Sequence, residues 1–141
     1  YLCQRLNDLC TQAGLSCRLN ISPIPNNVEI SSRIRHNISM ATREAVNNVA
    51  KHAKATQVTV HINFADNVLT ISIHDDGCGF QPDGGGRGGH GLLNMQRRME
   101  YIGGSCQIES APGKGTAVHF RARIGALRDG SVETLTASNK L

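Results

Sequence analysis

Tryptophan is absent from the chain, and only three phenylalanines and two tyrosines are present. The core must therefore be built from aliphatic side chains. No apolar run approaches the roughly 20 residues of a membrane-spanning helix, and no secretory signal pattern is visible. Ordered cysteine is lacking too. Cys3, Cys10, Cys17, Cys78 and Cys106 make an odd count, with no CxxC and no Cys/His ligand spacing. That argues against a disulfide framework and a zinc site, and for reduced thiols in a cytoplasmic protein. Nor are the basic residues clustered. The net charge is +4, yet lysines and arginines are scattered and not interleaved with aromatics, so a nucleic-acid partner is not expected. Mild basicity suits a small phosphate-bearing ligand instead.

What the chain has in excess is glycine, fifteen in 141 residues, about half of them between Gly77 and Gly91. One domain is the default at this length, and a core without staples is within reach. Leu2, Leu6, Leu9 and Ala13 form a helical stripe that stops at Gly14. Leu15 to Ile21 alternates as a strand. Ser31 or Ser32 can cap a long helix running to about His52 or Ala53. Gln57 to Phe64 and Leu69 to Ile73 alternate around Asp66-Asn67, a hairpin signal. Leu92 to Ile102 reads as a helix closed by Gly103-Gly104, Cys106 to Ile108 as a short strand, and Thr116 to Ile124 as a longer one. The pattern stops at Gly125. The expected fold class is α+β, a two-layer α/β sandwich whose mixed, mostly antiparallel sheet carries helices on one face. Residues 1–124 would form the domain and 125–141 a disordered tail. The chain opens in mid-helix character, as a fragment of a longer protein would.

Within the long helix, Glu44 and Asn48 are four apart, and Lys51 and His52 follow three and four residues later. At helical spacing they form one polar row beside the apolar row Ile34, Ile38, Ala41, Ala45 and Val49. A carboxylate, a carboxamide and an ammonium at the rim of a core suit a Mg²⁺ ion with phosphate oxygens, because Mg²⁺ takes hard oxygens and few protein ligands. A solvated helix edge explains this stretch equally well. Asp75-x-Gly77-x-Gly79 lies at a strand end. A carboxylate only accepts hydrogen bonds, so one above bare backbone suits an exocyclic amino group such as that of adenine. Alone, the triplet is compatible with an acidic turn. GxGxxG occurs twice between Gly84 and Gly91, but carboxylates, not glycines, directly follow the strand, against a dinucleotide fingerprint. Gly113-Lys114-Gly115-Thr116 is not a P-loop, since the required earlier glycine falls on Ile108.

Taken in order, Glu44-x-x-x-Asn48-x-x-Lys51-His52, Asp75-x-Gly77-x-Gly79-Phe80, Gly89-His90-Gly91-Leu92 and Gly113-x-Gly115-Thr116 form a set. It resembles the ATP-binding catalytic domain of sensor histidine kinases, in the superfamily shared with DNA gyrase, mismatch-repair ATPases and the large heat-shock chaperone. Arg43-Glu44-Ala45, Lys51-His52-Ala53 and Asp75-Asp76-Gly77 look most like the nitrate-sensor-like branch. The resemblance covers roughly residues 15–124 and implies the Bergerat-type fold, with ATP and Mg²⁺ bound. It makes Asn48 the Mg²⁺ ligand and Glu44 the acidic residue one turn earlier that orients metal, water or the reacting group, both in catalytic roles. Lys51 would touch phosphate oxygens and His52 would line the pocket. Asp75 would read adenine, Gly77 and Gly79 would admit the base, and Thr116 would share a water with Asp75. Gly89, His90, Gly91 and Leu92 would belong to the end of an ATP lid spanning 81–90 and to the helix start behind it.

The same resemblance implies a phosphoacceptor histidine in a His-Asp pair on an upstream dimerisation hairpin. No histidine here is followed by aspartate in that setting. The expected function is γ-phosphoryl transfer to a histidine outside this chain, with a response regulator as the indirect partner and the chain itself a monomer. The alternatives within the fold are an ATP-hydrolysing domain with Glu44 as general base, an anti-sigma-type serine kinase, and a non-catalytic nucleotide-sensing module.

Overall fold

The computed structural model describes residues 2–25, 28–80 and 89–124. Helix α1 (Leu2–Gln12) buries Leu6 and Cys10. Gly14, at φ +75°, turns the chain into β1 (Ser16–Ile21). Helix α2 (Ser32–Asn48) starts where the Ser31 hydroxyl accepts the Ile34 N–H at 3.2 Å, which satisfies one of the donors a helix start leaves open. Its apolar row Ile34, Ile38, Ala41 and Ala45 is buried as expected.

The end of this helix differs from the sequence expectation. The α-helix stops at Asn48, and Val49–Ala53 forms a single π turn. Lys54, in the left-handed region at φ 53° and ψ 34°, closes it. The wider turn keeps Val49 in the core while the chain swings toward β2. Single π turns are frequent at functional sites.

Strands β2 (Gln57–Ala65) and β3 (Val68–Asp75) form the expected hairpin. Asp66 and Asn67 take φ 54° and 61°, the two positive values a type I′ turn needs. Helix α3 (Gly89–Tyr101) begins three residues before the expected Leu92, so Gly89, His90 and Gly91 lie in its first turn. The rest of the expected lid, 81–88, lies outside the described residues, as does the expected tail 125–141. Gly103, at φ +77°, ends α3, with the Gly104 N–H on the Met99 carbonyl at 2.7 Å. Strands β4 (Ser105–Ser110) and β5 (Thr116–Arg123) complete the sheet, β4 being longer than its central apolar residues suggest.

The strand order is β1-β2-β3-β5-β4. β1 and β2 run parallel, with α2 as their crossover, and every other pair is antiparallel. Val58, Val60, Ile62, Ile71, Ile73, Val118 and Phe120 face the helices and join Met95, Met99 and Ile102 of α3 in one aliphatic core. On the other face Asn20, His61, Ser72, His119 and Gln107 stand in register straight across all five strands. The fold is thus a two-layer α/β sandwich with one polar sheet face.

Candidate functional site

Two clusters of the singled-out residues lie at the ends of α2 and β3. The first is built on α2. Glu44 and Asn48, one turn apart, are both half-buried, because their row borders the core-facing stripe. The first turn of α3 packs directly on them. A Cβ placed on Gly91 would sit 2.8 Å from Glu44 Oε2 and 3.3 Å from Asn48 Oδ1. A side chain here would push the tips of Glu44 and Asn48 aside. The Glu44 carboxylate and the Asn48 carboxamide, whose Oδ1 and Nδ2 are equally near, converge on bare backbone at a helix N-terminus. Lys51 is exposed on the π turn. Because that turn is wider than an α turn, Lys51 does not continue the Glu44–Asn48 row as α spacing suggested. His52 occupies the same π turn and His90 the first turn of α3.

The second cluster is built on the end of β3. Asp75 pairs with Val58 on one side and Thr116 on the other. Its Oδ1 accepts the Gly77 N–H at 2.8 Å, and the Thr116 amide lies near the carboxylate. Burial pushes this carboxyl above the ordinary range, and the two amides only partly oppose it. Asp76, next in sequence, goes the other way. Hydrogen bonds from Gln57 and Thr56 hold its carboxyl below the ordinary range.

Beyond Asp75 the backbone is laced to the β4–β5 turn. The Gly113 N–H donates to the Cys78 carbonyl at 2.6 Å, and the Phe80 N–H to Ser110 Oγ at 2.9 Å. Gly79 is at φ +66°, and a Cβ there would run into the Ala111 and Gly115 carbonyls. Gly115 is at φ +73°, and its Cβ would run into the Asp75 carbonyl. Thr116 Oγ1 meets Ser110 Oγ at 2.9 Å, and Ser110 Oγ donates to the Gly115 carbonyl at 3.0 Å.

Sequence reasoning missed Ser110 and Asp76 as builders of this cluster. Ser110 carried no signal, because it ends a strand that reads as shorter than it is. Asp76 was visible only as part of the acidic doublet. Leu92 is half-buried against the core. Among the described residues, no cluster of three or more His, Cys, Asp or Glu is arranged to hold a metal, and no helix is long and apolar enough to cross a membrane.

A two-layer sandwich with a helix-borne Glu/Asn pair, a strand-end carboxylate and a glycine-flanked helix start defines a nucleotide-binding class of domain. Residues 34–126 match the family model described as histidine kinase-, DNA gyrase B- and HSP90-like ATPase, and the chain belongs to that family. It is 33% identical over 121 residues to an uncharacterized sensor-like histidine kinase of Chloroflexus aurantiacus, covering 82% of this chain and 20% of that protein. It is 33% identical to the sensor histidine kinase LiaS of Bacillus subtilis over 95 residues, 67% of this chain and 26% of the other. The chain thus spans about a quarter or less of these relatives. The histidine kinase domain of a blue-light-activated histidine kinase from Erythrobacter litoralis superposes with a TM-score of 0.73 at 16% identity, over 97% of this chain and 63% of the other. The chain is an ATP-binding catalytic domain of the type carried by sensor histidine kinases.

Proposed function

We propose that the chain binds MgATP between α2 and α3 and donates the γ-phosphoryl group to a histidine on an upstream dimerisation hairpin of a longer kinase. The observation that supports this most is the convergence of Glu44 and Asn48 on the bare backbone of Gly91. That cradle holds two side-chain oxygens and faces a helix N-terminus, whose free N–H groups and dipole favour phosphate. Two oxygens suit Mg²⁺, which keeps several waters and phosphate oxygens in its shell. Asn48 would ligate the metal and Glu44 would orient its shell. When bound, Mg²⁺ neutralises charge on the phosphates.

The remaining roles fall to this chain's own groups. Lys51 reaches phosphate from the π turn, with His52 beside it. Asp75, held by the Gly77 amide, accepts a hydrogen bond from the adenine amino group. Gly77 and Gly79 leave the floor bare, and Thr116 shares a water with Asp75. Gly89, Gly91 and Leu92 form the helix start against the phosphates, and His90 lines it. Catalysis is then positioning and charge neutralisation. The acceptor imidazole nitrogen attacks the γ-phosphorus, the bond to the β-phosphate oxygen breaks, ADP leaves, and the imidazole proton passes to solvent. A response regulator would take the phosphoryl group afterwards, and the parent would hold this domain in the cytoplasm.

The test is to mix the chain with a separately made upstream hairpin and γ-labelled ATP. Acid-labile label on the hairpin is expected. ATP binding with no label on the hairpin would overturn the transfer. Phosphate release alone would then indicate the hydrolytic reading, and acid-stable label on serine the serine-kinase one.

A further inference from the structure

Asp76 is exposed, yet it is among the most heavily bonded side chains of the described residues. Its Oδ1 accepts the Thr56 N–H at 2.9 Å and the Gln57 N–H at 3.1 Å. Its Oδ2 accepts the Thr56 hydroxyl at 2.9 Å. The Asp76 N–H returns a bond to the Gln57 carbonyl at 3.4 Å. Thr56 is itself a junction, because its carbonyl accepts the Ser16 N–H that opens β1, at 2.9 Å. One carboxylate therefore fastens the tip of β3 to the starts of β2 and β1.

What lies on either side of this knot gives it meaning. Two residues before Thr56 stands Lys54, the left-handed residue that closes the π turn carrying Lys51. One residue before Asp76 stands Asp75. The chain leaving the phosphate end of the proposed site and the strand tip forming its base end are tied by this side chain, which adds to the Asp75–Val58 ladder pair the three bonds that reach back to Thr56 and Gln57. Lys54 and Ala55 lie in no described strand, and although Ala55 packs on the core, the Thr56 amide and hydroxyl bonds are the first hydrogen bonds among the described residues that fix this segment to the tip of β3.

We propose that Asp76 is a positioning residue that sets the distance between the phosphate-binding π turn and the adenine-reading carboxylate. It touches neither substrate nor metal. A charge-assisted three-donor clamp suits that task better than a plain strand end, since hydrogen bonds to an ionised acceptor are shorter and stronger than neutral ones. This inference rests on the nucleotide site proposed above.

The experiment compares MgATP and adenosine binding by calorimetry in the wild-type chain and in Asp76→Ala. Adenosine uses the base end alone, whereas ATP needs both ends at once. The variant is expected to lose roughly tenfold in ATP affinity, the scale of lost charged hydrogen bonds, with adenosine affinity nearly unchanged. Lys51→Ala should cost less in the Asp76→Ala background than alone, as a double-mutant cycle reads coupling. Thr56→Val, which removes one bond of the clamp and keeps the backbone amides, should fall between wild type and Asp76→Ala and serves if the alanine variant does not fold. Equal losses for ATP and adenosine, or additive effects with Lys51→Ala, would overturn the proposal and leave Asp76 a merely structural brace. Wild-type chain that binds neither ligand would instead sink the nucleotide site itself.

Discussion

Glu44, Asn48 and Gly91 carry the account at the scale of single residues. Asn48→Ala should reduce MgATP affinity about tenfold or more and abolish its dependence on Mg²⁺. Titrations with and without the metal check this, and an unchanged Mg²⁺ dependence would remove Asn48 as ligand. Gly91→Ala would place a methyl carbon 2.8 Å from Glu44 Oε2. The near atoms are the far ends of flexible side chains, so the fold should survive while the cradle is pushed apart. The expected outcome is a melting temperature close to wild type with strongly weakened MgATP binding. Asp75 adds a pH dependence. Burial raises its carboxyl above the ordinary range, and only the ionised form serves solely as acceptor for the adenine amino group. ATP affinity should therefore fall on acidification earlier than an ordinary carboxylate would dictate. Asp75→Asn should bind ATP weakly at every pH, discriminate less against GTP, and lack that acid limb.

Elements explain why some of this was legible in the sequence and some was not. The row Ile34 to Val49 and the alternation of β2, β3 and β5 follow from period alone, because one face of each is buried. Asp66-Asn67 was readable since few residues other than glycine accept two positive φ values in succession. The π turn was not, because Val49 to Ala53 looks like a continuing helix and only the route to β2 widens it. The start of α3 was missed for a related reason: Gly89 and Gly91 argue locally against helix, yet Gly91 leaves Glu44 and Asn48 undisturbed where a side chain would displace them. Of the candidate site, the Glu44/Asn48 pair and Asp75 stood out by spacing, whereas the Phe80–Ser110 bond and the Asp76 clamp join residues 19 or more apart. The loop after β3 yields its own prediction. Gly79→Ala meets carbonyl oxygens that cannot move cheaply, at φ +66°. It should destabilise the domain by at least about 2 kcal/mol, measured by denaturant unfolding. A loss within experimental error would contradict the latch between this loop and the β4–β5 turn.

Across the whole molecule, the helical layer holds the proposed site and the polar sheet face holds the histidines. His74 stands between His61 and His119, at ring-centroid distances of 5.7 and 5.5 Å. Desolvation and then repulsion from His119 and His61 lower its pKa from 6.5, with Glu109 and Asp75 pulling partly the other way. The folded chain thus binds fewer protons at His74 than the unfolded chain does as pH drops through that region. Stability is lost on acidification there, not gained. His74→Thr should show a smaller fall in melting temperature between neutral and mildly acidic buffer than wild type. An equal fall would remove His74 as the source. This face is separate from the Glu44/Asn48 cradle, so the variant should leave MgATP binding near neutral pH intact. The central claim concerns that binding, and calorimetry of the purified chain with ATP in excess Mg²⁺ tests it most directly. The account predicts saturable one-site heat that weakens when Mg²⁺ is chelated and when GTP replaces ATP. No binding heat for ATP in the presence of the metal would contradict it.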